Sequence, residues 1–509
     1  MKKTLFLTIF SALAFLSSCK KEWLETEPTS STSTATVFET TANAKLAING
    51  LAKLMTTQYL SSQGFNGEGT IKMYYGNYPG NNFFVNLSGW ATIINGTLNE
   101  NVSSTYDYYP WYYYYMIIGN ANAIANNIDA ASGPYADKQF IKAQALTYRA
   151  YCYMMLAQLY GNRWSDSNNG STPGLVLRTE STTGDMARST LLETYNLIYS
   201  DLNQAISLYA SSGKSRTTNY EVNANVAYAI YARAALNRQD YANAESYAVK
   251  ARTGYALMSV ADYKAGFSNA TSEWIWSSYG ASDETLYYYS YFSYMAYNSS
   301  ASAVRSTPKC ISKELFDQIP ATDIRKSLFL DPTGYSYTTS TGVAGTALKA
   351  RAFVLYPNIY STSTVYAYMQ FKVAANDQPG VGNLNHFRSS EMYLIEAEAK
   401  YFQNKDAASI QNLLIELNKT SKRDESYTNT KTGAALLGEI KKYRAIELWG
   451  EGFDWFDMKR WGDSIVRKAY ANGGNFITSL AITILPTDNN KWTWKIPLKE
   501  TDNNHLVTN

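Results

Sequence analysis

Apolar residues recur at three- and four-residue intervals along most of this chain, a pattern that predicts paired helices. From Thr41 to about Arg252 the reading is almost wholly helical. Trp111, Tyr114, Tyr115, Ile118, Ala121, Ala125 and Ile128 make one stripe, with Pro110 placed to open the helix. The next segment carries two stripes, one from Ala143 through Leu146, Ala150, Tyr153 and Ala157 to Tyr160, the other Tyr148, Cys152, Met155 and Leu159. So wide an apolar arc predicts a helix buried between layers. Thr190 and Glu193 have capping-box spacing ahead of Leu191, Tyr195, Ile198, Leu202, Ile206 and Tyr209.

Two stretches share a helix-turn-helix form. Val222 to Arg252 turns at Asn237-Arg238-Gln239-Asp240. Near the end, Met392, Ile395, Ala399 and Phe402 share one helical face and Ile410, Leu413, Leu414 and Leu417 another, with Asn404-Lys405-Asp406 between them. Alanines such as Ala242 and Ala408 after short polar turns are similar to a degenerate tetratricopeptide repeat. A third helix follows in which Leu437, Ile440, Arg444, Glu447 and Glu451 lie near one stripe. Charges that continue an apolar line must pair with opposite charges once buried.

Two regions break the helical period: Ser61 to Asp107, rich in Gly and Asn, and Ala261 to His386, where short β-prone runs such as Trp274-Ile275-Trp276 and Phe353-Val354-Leu355 alternate with Gly, Ser and Thr. Loops this long in a compact body are usually functional. They also collect aromatics from a chain with 44 tyrosines: Tyr74, Tyr75, Tyr78, Phe83, Phe84 and Trp90 in the first, Tyr279, Tyr287, Tyr288, Tyr289, Tyr291, Phe292, Tyr294 and Tyr297 in the second. A sugar presents a flat C–H face ringed by hydroxyls, which an aromatic ring covers while neighbouring amides or carboxylates meet the hydroxyls. The ligand-binding candidates are therefore Trp90 and Tyr291, then Tyr75, Tyr78 and Tyr288, with Asn77, Asn81 and Asp283 as polar partners.

The run FRSSEMYLIEAEAKYF followed by YRAIELWGEGFDWFDMKRWGD resembles the C-terminal signature of the SusD/RagB family of outer-membrane nutrient-binding lipoproteins. Arg388, Glu391 and Ala397-Glu398-Ala399 match its first part; Arg444, Glu447, Leu448, Glu451, Gly452, Asp457 and Arg460-Trp461 match its second. KAQALTYRAYCYMMLAQLYG and YAIYARAALNRQDYANAESYA match two further blocks. Tyr443 stands where a glutamate is usual and Asp454 where an arginine is usual, so the charge network is expected to be wired differently. The resemblance implies a mainly α fold: four degenerate helix pairs in a right-handed, tetratricopeptide-like superhelix, carrying long irregular loops and a few short strands. It implies one body over residues 40–509, with scaffold at about 40–260 and 386–461 and ligand loops at about 61–107 and 261–385. It further implies capture of oligosaccharide for a TonB-dependent, SusC-like outer-membrane barrel, or, as in RagB-like relatives, of peptide.

Lys2 and Lys3 precede the apolar run Leu5 to Leu16, the form of a secretory signal peptide over residues 1–18. Leu16-Ser17-Ser18-Cys19 resembles a bacterial lipobox, which makes Cys19 the lipidated first residue of the mature chain and residues 19–39 a polar tether. The expected location is the outer membrane, lipid-anchored and facing outward. Loss of the two lysines leaves 43 basic against 42 acidic side chains, which argues against nucleic acid as a partner. Cys152 and Cys310 form no CxxC pattern, and His386 and His505 are too few for a zinc site, so no metal or cofactor is expected. Glu447, Glu451, Asp454 and Asp457 offer the paired carboxylates of a glycoside hydrolase on an α/α scaffold. Arg444, Lys459 and Arg460 beside them lower carboxylate pKa values, the wrong direction for a general acid, so the expectation is a binding protein without catalytic residues.

Overall fold

The computed structural model describes residues 34–60, 64–281 and 290–509. Its longer helices are α1 (Thr41–Leu54), α2 (Thr105–Asn127), α3 (Tyr135–Tyr160), α4 (Leu191–Ser212), α5 (Ala224–Asn237), α6 (Tyr241–Arg252), α7 (Thr346–Leu355), α8 (Ser389–Phe402), α9 (Ala407–Ile415), α10 (Gly433–Glu447) and α11 (Asp454–Trp461). From α1 to α6 each helix packs on the next, α6 then packs on α8, and α8 on α9 and α10. The stack is thus continuous in space although residues 261–385 interrupt it in sequence. This is the tetratricopeptide-like arrangement the helical periodicity predicts. The α5–α6 and α8–α9 turns are built alike: Gln239 and Asn404 take left-handed backbone (φ 60° and 55°). Asp240 and Asp406 then cap the following helices by accepting from Asn243 N and Ser409 N. The Thr190–Glu193 capping box is present at the start of α4.

Among the described residues three short antiparallel pairs accompany the helices: β1 (Phe83–Val85) with β3 (Lys309–Ile311), β2 (Trp274–Ser278) with β4 (Leu384–Arg388), and β5 (Ile465–Val466) with β6 (Thr483–Ile484). β2 is the expected Trp274-Ile275-Trp276 strand, whereas Phe353-Val354-Leu355 closes helix α7. Leu348 and Ala352 are the buried residues of α7, so burial at a spacing of four overrides β propensity there. In α10 it is Leu436, not Leu437, that is buried with Ile440.

Pro110 lies inside α2 rather than at its start, since Ser104 caps the helix by accepting from Tyr106 N. A proline within a helix leaves the carbonyl four residues earlier without its N–H partner. Tyr106 O is that carbonyl, and Tyr75 Oη donates to it at 2.5 Å. One turn into α2, Asp107 is fully buried and neither carboxylate oxygen has a partner among the described residues. Burial pushes its pKa up to about 9. The unfolded chain releases this proton near about pH 3.9 and the folded chain holds it to about 9, so stability falls as pH rises through that window. Asp107→Asn removes the penalty: unfolding midpoints compared at about pH 5 and about pH 8 should show the variant gaining on the parent, with the larger gain at the higher pH.

Candidate functional site

An apolar-walled cleft of about 450 Å³ falls within the roughly 300–1,000 Å³ range of small-molecule sites. Its floor is the end of α1 and the turn after it (Lys53, Met55, Thr56, Thr57) with Asn66 and Gly69. One wall is Tyr279–Ala281, following β2; the other combines Ser290–Phe292 with Gly380–Leu384, leading into β4. Glycine sets how closely these segments meet. A Cβ on Gly69 would lie 3.1 Å from Tyr291 Cβ, one on Gly382 2.6 Å from the Phe292 ring, and one on Gly280 would strike Gly382 O. Ser290 caps the short helix Tyr291–Met295 and donates to Gly380 O at 2.6 Å, tying the two halves of that wall.

Tyr279 stands at the mouth with 55% of its surface exposed. Its ring meets Tyr220 edge-on at 5.1 Å, and Asn383 accepts from Gly280 N at 3.1 Å, so the ring is backed and its backbone pinned. Deeper in, Tyr291 belongs to the lining with only 7% of its surface exposed, and its hydroxyl donates to Gly450 O at 2.7 Å. Among the described lining residues Lys53 is the single charged side chain. The hollow therefore offers rings, aliphatic carbon and a few amides and hydroxyls, suited to a ligand with both flat C–H faces and hydrogen-bonding groups.

Behind the cleft lies a buried ion network. Glu447 accepts from Arg388 at 2.6 Å, Arg325 at 2.7 Å and Arg423 at 3.1 Å. Glu273 pairs with Arg388 and Arg423, and Glu451 with Arg388 and Lys372. Burial pushes the Glu447 carboxyl up, but Arg423, Arg388 and Arg325 outweigh it and hold it well below the usual carboxylate range. Glu451 is likewise lowered, against burial, by Arg388 and Lys372. A carboxylate held ionised and fully enclosed has no proton to give a leaving group. Arg444 pairs with Asp457 at 2.6 Å, and Arg460 joins Asp457 to Glu398.

A family model described as "SusD family" matches residues 209–509, and a second, "Starch-binding associating with outer membrane", matches residues 22–236. The chain belongs to the SusD family. Solved structures share its fold across nearly their whole length. A SusD-like carbohydrate binding protein from Bacteroides vulgatus superposes with a TM-score of 0.76 at 22% identity, over 92% of this chain and 98% of that one. A SusD superfamily protein from Bacteroides thetaiotaomicron gives 0.72 at 23%, over 92% and 99%. One from Bacteroides fragilis gives 0.68 at 19%, over 93% and 100%. No curated protein matches the sequence.

Within this SusD-family fold, the residues singled out by sequence scatter. Tyr291 lines the cleft. Tyr75 is 1% exposed and serves the carbonyl that Pro110 leaves, and Tyr78 is buried between the Tyr74 and Phe83 rings. Asn77 donates to Gly450 O and accepts from Gly452 N, and Asn81 accepts from Val466 N, so both amides brace turns of the C-terminal part. Trp90 is half-buried, edge-on to Tyr74 at 5.8 Å, and is not among the residues lining the cleft. Residues 64–80, expected in a projecting loop, are buried throughout. The physical reason is that they thread between α2 and the 449–454 turn, where Tyr75, Asn77 and Tyr78 are consumed. Asp454, at the family's arginine position, accepts from Asn82 N and Nδ2, and burial pushes its pKa up to about 6. Tyr443, at the glutamate position, is buried under the Arg325 guanidinium, 5.2 Å from its ring centre. Tyr288, Asp283 and Cys19 lie outside the described residues. Asn66 and Tyr220 had no distinguishing sequence signal, and Tyr279 only its place among the loop tyrosines.

Proposed function

We propose that this SusD-family chain is a passive receptor that captures a short oligosaccharide segment in the cleft between Asn66 and Tyr279. The observation that carries the reading is the water-open hollow with the backed, exposed Tyr279 ring at its mouth. Such rings hold the C–H faces of a sugar. The starch-binding description of the matching family model and the carbohydrate-binding description of the B. vulgatus neighbour support a sugar over other ligands. In this reading Cys19 carries the lipid that keeps the protein on the outer face of the outer membrane, residues 19–39 are its leash, and the ligand passes unaltered to a SusC-like TonB-dependent barrel. Among the described residues no helix is long and apolar enough to cross a membrane.

Tyr279→Ala tests the site. Titration calorimetry against glycans selected on an array should show binding weakened by about 0.5–1.5 kcal/mol beyond the loss of area, with the melting temperature unchanged. Unchanged affinity would take the ring out of the site. Reducing ends released from polysaccharide, and lost in a folded Glu447→Gln variant, would replace the receptor reading by a hydrolase.

A further inference from the structure

Among the described residues lining the cleft, one largely buried carboxamide makes no hydrogen bond. Asn66 is 7% exposed and lines the floor. It occupies the N-cap position of the short turn Gly67–Thr70, where an asparagine ordinarily bends its side-chain oxygen onto the helix N–H groups, yet it makes no cap bond. The backbone closes the turn instead: Asn66 N donates to Thr70 Oγ1 at 2.6 Å and Asn66 O accepts from Thr70 N at 3.2 Å. Among the described residues nothing pairs with its carboxamide. Neighbouring polar groups are committed inward, Thr57 Oγ1 to Lys53 O and Tyr291 Oη to Gly450 O. The polar atoms of the Asn66 carboxamide are not sealed from water, and a ligand that pairs with both the donor and the acceptor is favoured over one that pairs with neither.

We propose that Asn66 recognises the acetamido group of an N-acetylhexosamine residue, an inference that rests on the glycan reading and narrows it. A carboxamide presents a donor and an acceptor side by side, and an acetamide returns both. The acetamide also ends in a methyl group, which the carbon surfaces of Met55, Phe292, Val381 and Leu384 in the same cleft can cover. A sugar hydroxyl supplies the hydrogen bonds without the methyl. A deacetylated amine supplies donors only and brings a cation into a hollow where Lys53 already stands. A peptide bond also pairs with a carboxamide, but Tyr279, exposed at the mouth and backed by Tyr220, favours the flat face of a pyranose.

The test is an NMR titration of the full chain with methyl glycosides, which removes linkage as a variable: N-acetylglucosamine and N-acetylgalactosamine against glucose, galactose and glucosamine, with N-acetyl-alanyl-alanine amide as the peptide probe. The acetamido sugars should bind about tenfold more tightly than their parents. Asn66→Leu should weaken the acetamido sugars about tenfold and the parents less, bringing that ratio to about one, and Asn66→Asp, which keeps the shape but loses the donor, should lower it also. Tyr279→Ala should weaken all the sugars alike. Parent sugars binding as tightly as acetamido ones, or a ratio that survives both Asn66 substitutions, overturns the inference and leaves the glycan reading standing. Binding of the dipeptide alone, or of no probe, overturns both.

Discussion

Glu447→Ala should destabilise the protein by about 3–5 kcal/mol at neutral pH, the range found when one member of a buried ion pair is removed. Three guanidiniums, Arg325, Arg388 and Arg423, converge on this carboxylate, and all four side chains are at most 2% exposed. Removing the anion leaves Arg325 with Asp323, and Arg388 and Arg423 with Glu273 and Glu451, a buried cluster short of one negative charge. The exposed pair Lys491–Glu100 provides the contrast: Glu100→Ala should cost no more than about 1 kcal/mol. The pH dependence follows from the direction of the shift. The Glu447 carboxyl is lowered in the folded state, so its stabilisation is complete above the unfolded value of about 4.3 and is lost as pH falls through the lower folded value. Urea unfolding of parent and variant at neutral pH and below about pH 4 checks both points: the gap should be widest at neutral pH and narrow on acidification. A variant as stable as the parent at neutral pH would mean the network is no strut.

Gly67→Ala should remove about 2–4 kcal/mol and ligand binding together. Gly67 has φ +41°, and a Cβ there would run into the Met55 carbonyl. That contact joins the two strips of the cleft floor, where Gly67 N donates to Thr57 O and Glu68 N to Met55 O, each at 2.9 Å. Separating them displaces Met55 and Asn66 without touching the mouth. Tyr279→Ala should therefore cost affinity with stability intact, whereas Gly67→Ala should cost both, as read by calorimetric titration and thermal unfolding of the same samples. Full ligand affinity in a folded Gly67→Ala protein would place the binding surface elsewhere.

The helical scaffold was legible because its signal is local: the 3.6-residue period, the Thr190–Glu193 box and the aspartates after the two turns each lie within one segment. The ion network was half legible. Arg444, Glu447 and Glu451 declare themselves as charges on an apolar stripe, but Glu273, Arg325 and Arg423 arrive from distant parts of the chain with no periodicity to mark them. Loop aromatics were the least legible part, because an aromatic-rich loop and a buried connector have the same composition. Tyr75 is a core residue through Pro110, whose position inside α2 the sequence pattern misread as a helix start. Asn77 and Asn81 are spent on turns that come close only in the folded chain. Asn66 carries no sequence signal of its own, and only the missing cap bond in the folded chain reveals its side chain as uncommitted.

The account stands or falls on where the ligand sits. The direct measurement is a crystal structure of the full chain with a glycan chosen from the array. The account expects an intact sugar in the cleft, one ring face against Tyr279 and its polar groups within hydrogen-bond reach of Asn66. A glycan bound on another face of the molecule, or one cleaved beside Glu447, would contradict it.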